Sequence, residues 1–80
     1  MDITIHQLGH NVDVIKSVQR IRLATEKGRV ELLPGHESLF AVVASPELSY
    51  QKEEGAWETQ PLPKGGFLTL EEDHVNLWVL

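Results

Sequence analysis

The chain has 80 residues, 41% of them apolar, with twelve acids against seven bases and a formal net charge of −5. That length fits a single domain, residues 1–80, with a small core, and the even scatter of charge argues against disorder. The lack of cysteine excludes disulfides, thiolate zinc sites and cysteine nucleophiles, while an acidic balance without a Lys/Arg cluster argues against nucleic acid and anionic membranes as partners.

Met1-Asp2-Ile3-Thr4 opens without a basic region or a long apolar stretch, so no signal peptide is expected. Ile3 and Ile5 then alternate with Thr4 and His6, the period of a half-buried strand. Gly9-His10-Asn11 punctuates it, Val12-Asp13-Val14 alternates again, and Val14 to Val18 favours strand over a helical turn because it is β-branched and short. Gln19, Ile21 and Leu23 are expected on one face against Arg20 and Arg22. Thr25-Glu26-Lys27-Gly28 reads as a turn, Val30 and Leu32 share a face, and Pro34-Gly35 predicts a tight turn with the glycine left-handed. Leu39 to Ala44 is continuously apolar, which places it between two layers or under a partner; it is too short to cross a bilayer, which takes about 20 helical residues.

Ser45-Pro46 breaks that run. Leu48 and Tyr50 alternate up to a polar hairpin turn at Lys52-Glu53-Glu54-Gly55, and Trp57 opens a strand that ends at Pro61-Leu62-Pro63-Lys64-Gly65-Gly66. Phe67 to Leu70 and Val75 to Leu80 form a final hairpin around Glu71-Glu72-Asp73-His74. Short strands at close spacing mean an all-β, antiparallel sandwich or flattened barrel. In the last strand Val75, Leu77 and Val79 share one face, leaving Trp78 and Leu80 on the other. Apolar groups on both faces imply that something covers the second.

Catalytic and metal chemistry find little support. His6 and His10 are four apart, a spacing that aligns ligands on a helix but not along a strand and turn. His36-Glu37 begins like the zinc-protease helix motif, but Phe40 stands where the second histidine belongs. His36 and Ser38 are two apart with no nucleophile elbow. Lys64-Gly65-Gly66 lacks the glycine spacing and following helix of a phosphate cradle. The runs Glu53-Glu54 and Glu71-Glu72-Asp73 read as solvated turns, and Trp57 and Trp78 as core or interface aromatics. No catalytic residue, metal or cofactor is expected.

One stretch is more specific. Gly28-Arg29-Val30-Glu31-Leu32-Leu33-Pro34-Gly35-His36 resembles the Gly-x-x-Gly-[Ile/Val]-Leu-Pro-Gly-His signature of the epsilon subunit of F-type ATP synthases, called delta in mitochondria. Glu47-Leu48-Ser49-Tyr50, Gly65-Gly66-Phe67-Leu68 and Val75 to Leu80 extend the resemblance over essentially the whole chain, as that family's N-terminal domain. It implies a β-sandwich of about ten short strands. It also implies a non-catalytic rotor subunit that binds gamma and the rotor (c) ring, couples proton or sodium flow to ATP synthesis, and sits peripherally at the cytoplasmic face of the membrane. By position, Glu26, Lys27, Arg29 and Glu31 become polar contacts to the rotor ring and gamma, with His36 near gamma.

Three departures stand out. Glu31 replaces the family's second glycine, Ser45-Pro46-Glu47 replaces Pro-Gly-Glu, and Pro63-Lys64 replaces a smaller turn. The family's C-terminal helical hairpin, which inhibits hydrolysis and in some members binds ATP, has no counterpart, so neither role is expected here. Trp78 and Leu80 lie close to where it would begin and join the candidate interface. The alternative is a stand-alone protein-interaction module of the same fold.

Overall fold

Most expected alternations become strands, but Val14 to Val18 does not run through as one: it breaks at Lys16 and Ser17, the latter at φ 61°. A computed structural model of the chain describes residues 1–53 and 55–80, so Glu54 of the expected polar turn lies outside the described residues. Among the described residues there are nine strands and no helix. They are β1 (Asp2–Gln7), β2 (Asp13–Ile15), β3 (Val18–Thr25), β4 (Gly28–Leu32), β5 (Leu39–Val43), β6 (Glu47–Lys52), β7 (Trp57–Pro61), β8 (Gly66–Glu71) and β9 (His74–Val79).

Two sheets stack face to face, one in the order β2-β1-β9-β8-β5 and the other β4-β3-β6-β7. The result is an open sandwich, not a closed barrel. One pair departs from the antiparallel expectation: β1 and β9 run parallel, with Ile3 opposite Val75 and Ile5 opposite Leu77. Parallel strands need a long crossover, and here everything between the two strands supplies it.

The core is the set of inward positions. Ile3, Ile5, Val75, Leu77, Val79, Leu68, Leu70 and Val43 come from the larger sheet, and Val18, Ile21, Leu23, Leu32 and Leu48 from the smaller. Leu62 completes it and is fully buried although prolines flank it. Its N–H donates to the Pro46 carbonyl at 2.6 Å and its carbonyl accepts from Gly65 N–H at 2.8 Å, so a segment that reads as a turn also plugs one end of the sandwich.

Two sequence expectations are corrected. Gln19 does not share the buried face with Ile21 and Leu23, because a register shift between Val18 and Arg20 makes Val18 the inward residue and leaves Gln19 exposed. One extra residue in a ladder breaks the two-residue period. Of the two places expected for Leu39 to Ala44, between two layers or under a partner, the first is not what the fold provides. β5 is an edge strand whose Leu39, Ala41 and Val43 turn inward while Phe40 and Val42 are 65% and 50% exposed.

Gly66 lets two strands approach closely. A Cβ built there would lie 2.5 Å from the Trp78 carbonyl oxygen and 3.4 Å from Leu62 Cδ2. Gly66→Ala is therefore expected to destabilise the fold by about 1–3 kcal/mol or more, measured as a lower urea midpoint at unchanged slope; a wild-type midpoint would contradict the packing of β8 on β9.

Tyr50, the chain's single tyrosine, pairs with Glu58 across β6 and β7. Burial, and secondarily the Glu58 carboxylate, raise its phenol above the ordinary 10.0. The folded state thus favours the neutral phenol, so the stabilisation is complete below pH 10.0 and disappears as pH rises through the higher folded value. Tyrosinate absorbance should show one titration above the free-tyrosine value, moved downward by Glu58→Gln; an unmoved curve would remove Glu58 as a cause.

Candidate interaction surfaces

Gly28 to His36 is a strand between two turns, and the backbone explains both. At the first, Thr25 Oγ accepts from Lys27 N–H at 3.2 Å and donates to the Gly28 carbonyl at 3.0 Å. Gly28 sits at φ 120°, disfavoured for a side chain. Glu26 and Lys27 form the exposed tip. At the second, Pro34 and Gly35 occupy the centre of a turn closed by His36 N–H to the Leu33 carbonyl at 3.1 Å, with Gly35 at φ 85°. The left-handed glycine is where the Pro-Gly pair puts it.

That second turn is anchored elsewhere. Gly35 N–H donates to Asp73 Oδ1 at 2.7 Å. Asp73 and Glu72 are the two central residues of the β8–β9 hairpin, at φ 62° and 46°. Both positive values belong to the tight hairpin turn whose twist matches the strands. The acid run expected to be a plain solvated turn thus pins the Pro-Gly corner. His36 is exposed, and its Nδ1–H donates to the Glu37 carbonyl at 2.8 Å.

Arg29 and Glu31 lie on the outer face of the four-stranded sheet. Glu31 faces Arg22 across the ladder and its carboxylate lies 3.9 Å from Arg22 Nε and 3.8 Å from an Arg20 guanidinium nitrogen. Both are long contacts between exposed groups and contribute little stability. They do mean that the residue in place of the family glycine answers charges of its own sheet. Arg22 also packs over the Trp57 ring, 4.2 Å from its centroid. All three arginines of the chain, Arg20, Arg22 and Arg29, are on this face. A shallow depression of about 660 Å³ is lined there by Arg22, Arg29, Glu31, Ser45, Glu47 and Ser49.

The outer face of the five-stranded sheet is of the opposite kind. His6 stands opposite Trp78, and Trp78 opposite Phe67. The His6 ring stacks on Trp78 at 5.0 Å and 12°, and Trp78 on Phe67 at 5.2 Å and 17°. Phe67 meets Phe40 at 5.9 Å and 42°. Four rings from four adjacent strands thus form one row. His6 Nε2–H donates to Asn76 Oδ1 at 2.9 Å, which fixes that ring in the row. Trp78 was expected on this face and is there; Phe40, Phe67 and His6 join it through register, which sequence alone does not supply.

The candidate residues do not converge on one patch. The Glu26–Lys27 tip shares an end of the sandwich with Ala44, whose N–H donates to the Ala24 carbonyl at 2.8 Å. Leu80 is at that end too, its N–H donating to the Gly65 carbonyl at 3.2 Å and its side chain 63% exposed. His36 lies at the other end, beside Asp73. Arg29 and Glu31 occupy one outer face and Trp78 the other. Between the free edges of β4 and β5 runs an apolar groove of about 370 Å³, lined by Leu23, Val30, Leu32, Leu39 and Ala41, with Glu26 and Lys27 at its rim. Among the described residues, no three His, Asp or Glu side chains form a group able to hold a metal ion.

No family model matches this chain, and no curated protein does. Solved structures do. One similar chain is in the Tetrahymena thermophila mitochondrial ATP synthase, central stalk/c-ring, at TM-score 0.78 and 12% identity, covering 100% of this chain and 63% of that one. Another is in the Euglena gracilis mitochondrial ATP synthase, OSCP/F1/c-ring in rotational state 1. There the TM-score is 0.78 and the identity 21%, covering 96% of this chain and 48% of that one. The chain therefore spans less than two thirds of either. The fold is one found in mitochondrial ATP synthase, as the resemblance of the Gly28–His36 segment implies.

Proposed function

We propose that the chain is a non-catalytic, rotor-associated subunit of an F-type ATP synthase, binding gamma through the outer face of its five-stranded sheet and meeting the rotor ring through a charged rim. The carrying observation is the ring row His6–Trp78–Phe67–Phe40. A contiguous aromatic surface on a small acidic domain is the composition of an interface core. Its rings are already held by stacking and by Asn76, so little side-chain freedom is lost on binding.

The fold likeness supports the choice of partner, because both neighbouring chains come from ATP synthase assemblies. In this reading Glu26, Lys27, Arg29 and Glu31 supply the polar rim, His36 meets gamma at the opposite end, and Trp78 and Leu80 belong to the covered apolar surface. Charges of both signs on a rigid hairpin hold register against a polar surface, and contribute more to fit than to affinity. The subunit would be peripheral, carried by its partners and without insertion in the bilayer, and would pass rotor motion between them without chemistry of its own.

Co-expression with the cognate gamma, followed by size-exclusion chromatography, tests the reading. Co-elution is expected, and Trp78→Lys should weaken it by about 2 kcal/mol, roughly thirtyfold; separate elution of the wild type at micromolar concentration would overturn it in favour of a stand-alone module.

The rim has its own check. Glu31→Gln leaves the strand intact and releases Arg20 and Arg22, so gamma binding should persist while capture on detergent-solubilised rotor ring changes severalfold. If neither binding responds, the role assigned to the rim is wrong.

A further inference from the structure

Residues 33–38 carry the chain from β4, at the edge of one sheet, to β5, at the edge of the other, and all six are exposed. Within the segment the Leu33 carbonyl accepts from His36 N–H at 3.1 Å, and the Glu37 carbonyl from His36 Nδ1–H at 2.8 Å. Among the described residues one hydrogen bond ties it to another element, Gly35 N–H to Asp73 Oδ1 at 2.7 Å. The donor is the one that the turn leaves over. Pro34 has no N–H and the turn's own bond uses that of His36, so the Gly35 N–H finds its partner outside the turn. A carboxylate acceptor makes that bond charge-assisted, about twice as strong as a neutral one.

We propose that Asp73 is a positioning residue: its carboxylate latches the Pro34–Gly35 corner to the β8–β9 hairpin and so sets where His36 stands relative to the ring-bearing sheet. The hairpin suits the task. Asp73 holds φ at 62°, a conformation that Asp, Asn and Gly accept more readily than other residues. Its carbonyl accepts from Asp2 N–H at 3.1 Å, so the main chain beneath the carboxylate is tied to β1.

The latch also joins the two sheets. β4 and β5 share no ladder. Near the Glu26–Lys27 tip the sheets are bridged by Ala44 N–H to the Ala24 carbonyl at 2.8 Å, and at the opposite end by Gly35 to Asp73. Releasing the carboxylate therefore frees the corner at one end of the sandwich without unmaking a strand. The placing of His36 for gamma rests on the function proposed above; the latch itself does not.

Three substitutions on the 80-residue chain test it. Asp73→Gly removes the carboxylate alone, because glycine accepts the positive φ and the backbone bond to Asp2 remains. Asp73→Asn keeps an acceptor oxygen as well, and Glu72→Gly relaxes the same turn with the latch intact. Asp73→Gly should speed amide exchange at Gly35 roughly tenfold or more with the urea midpoint close to wild type; Asp73→Asn should speed it less, and Glu72→Gly should leave it unchanged. With the cognate gamma, Asp73→Gly should weaken binding severalfold. His36→Ala should weaken the wild type severalfold but cost little in the Asp73→Gly background, since a released corner gives the ring no fixed place. Gly35 exchange unmoved by Asp73→Gly, equal acceleration by Glu72→Gly, or full additivity of Asp73→Gly and His36→Ala would each overturn the proposal. A wild-type chain that fails to bind gamma would overturn the proposed function instead, and the latch would then stand or fall on the exchange at Gly35.

Discussion

The structure depends on β9 lying between β1 and β8. Its inward residues Val75, Leu77 and Val79 supply the centre of the core, and its outward Trp78 is the ring to which His6 and Phe67 both stack. One strand thus fixes the register of both faces of the five-stranded sheet. That arrangement requires β8 to approach Trp78 at Gly66, where a Cβ would collide with its carbonyl oxygen. It also requires the chain's first strand to return parallel beside the last, so the fold closes only after the whole intervening chain is in place. Such non-local closure is slow to form, but once formed it ties residues 2–7 to residues 74–79.

The two outer faces diverge from a common scaffold. Alternation along each strand gives every sheet one inward and one outward set; the inward sets are alike, and the outward sets are not. Rings and threonine populate the larger sheet, whereas every arginine populates the smaller. Three arginines and the two acids Glu31 and Glu47 leave that face at +1, so the remaining four lysines and ten acids carry −6 of the total −5. A partner meeting the larger sheet finds a desolvatable surface, and one meeting the smaller finds a charged surface on which Glu31 lies beside Arg20 and Arg22. Glu31 gains its interest from this. As a sequence feature it is a charge where a glycine is usual; in the fold it links two arginines and leaves the Arg22–Trp57 contact beside it.

What was legible in the sequence was whatever local chemistry decides. The alternations at Ile3/Ile5, Val30/Leu32 and Val75/Leu77/Val79 give the strands and their buried faces, and Pro34-Gly35 gives its turn, because each rests on steric preferences within a few residues. The bulge at Gln19 was hidden, since an inserted residue leaves no compositional mark when polar and apolar side chains continue around it. Leu62 was hidden because prolines on both sides read as a turn, and a turn can still bury its middle residue. The ring row and the Gly35–Asp73 bond were out of reach for a different reason. Both are set by which strands become neighbours, and pairing between residues 6 and 78, or 35 and 73, has no local signature. The charged tip and the rim strand are exposed and Trp78 is half-buried on the opposite outer face, so these residues do not form a single site.

Edge protection follows the same division. A small sandwich with four ends of sheet must discourage pairing at each, and charge does this at little cost because edge side chains are solvated. β5 cannot be guarded by charge at its inward positions, since Leu39, Ala41 and Val43 pack on the core, yet Phe40 and Val42 face outward and are free to be polar. Their apolar character is therefore not imposed by folding. Phe40 extends the ring row by one strand and Val42 stands opposite Phe67, so the unguarded edge and the aromatic face are one continuous surface. Substituting a charge at Phe40 would protect the edge and shorten the row together. The strand that leaves the sandwich open to a further strand is the same one that widens its apolar face.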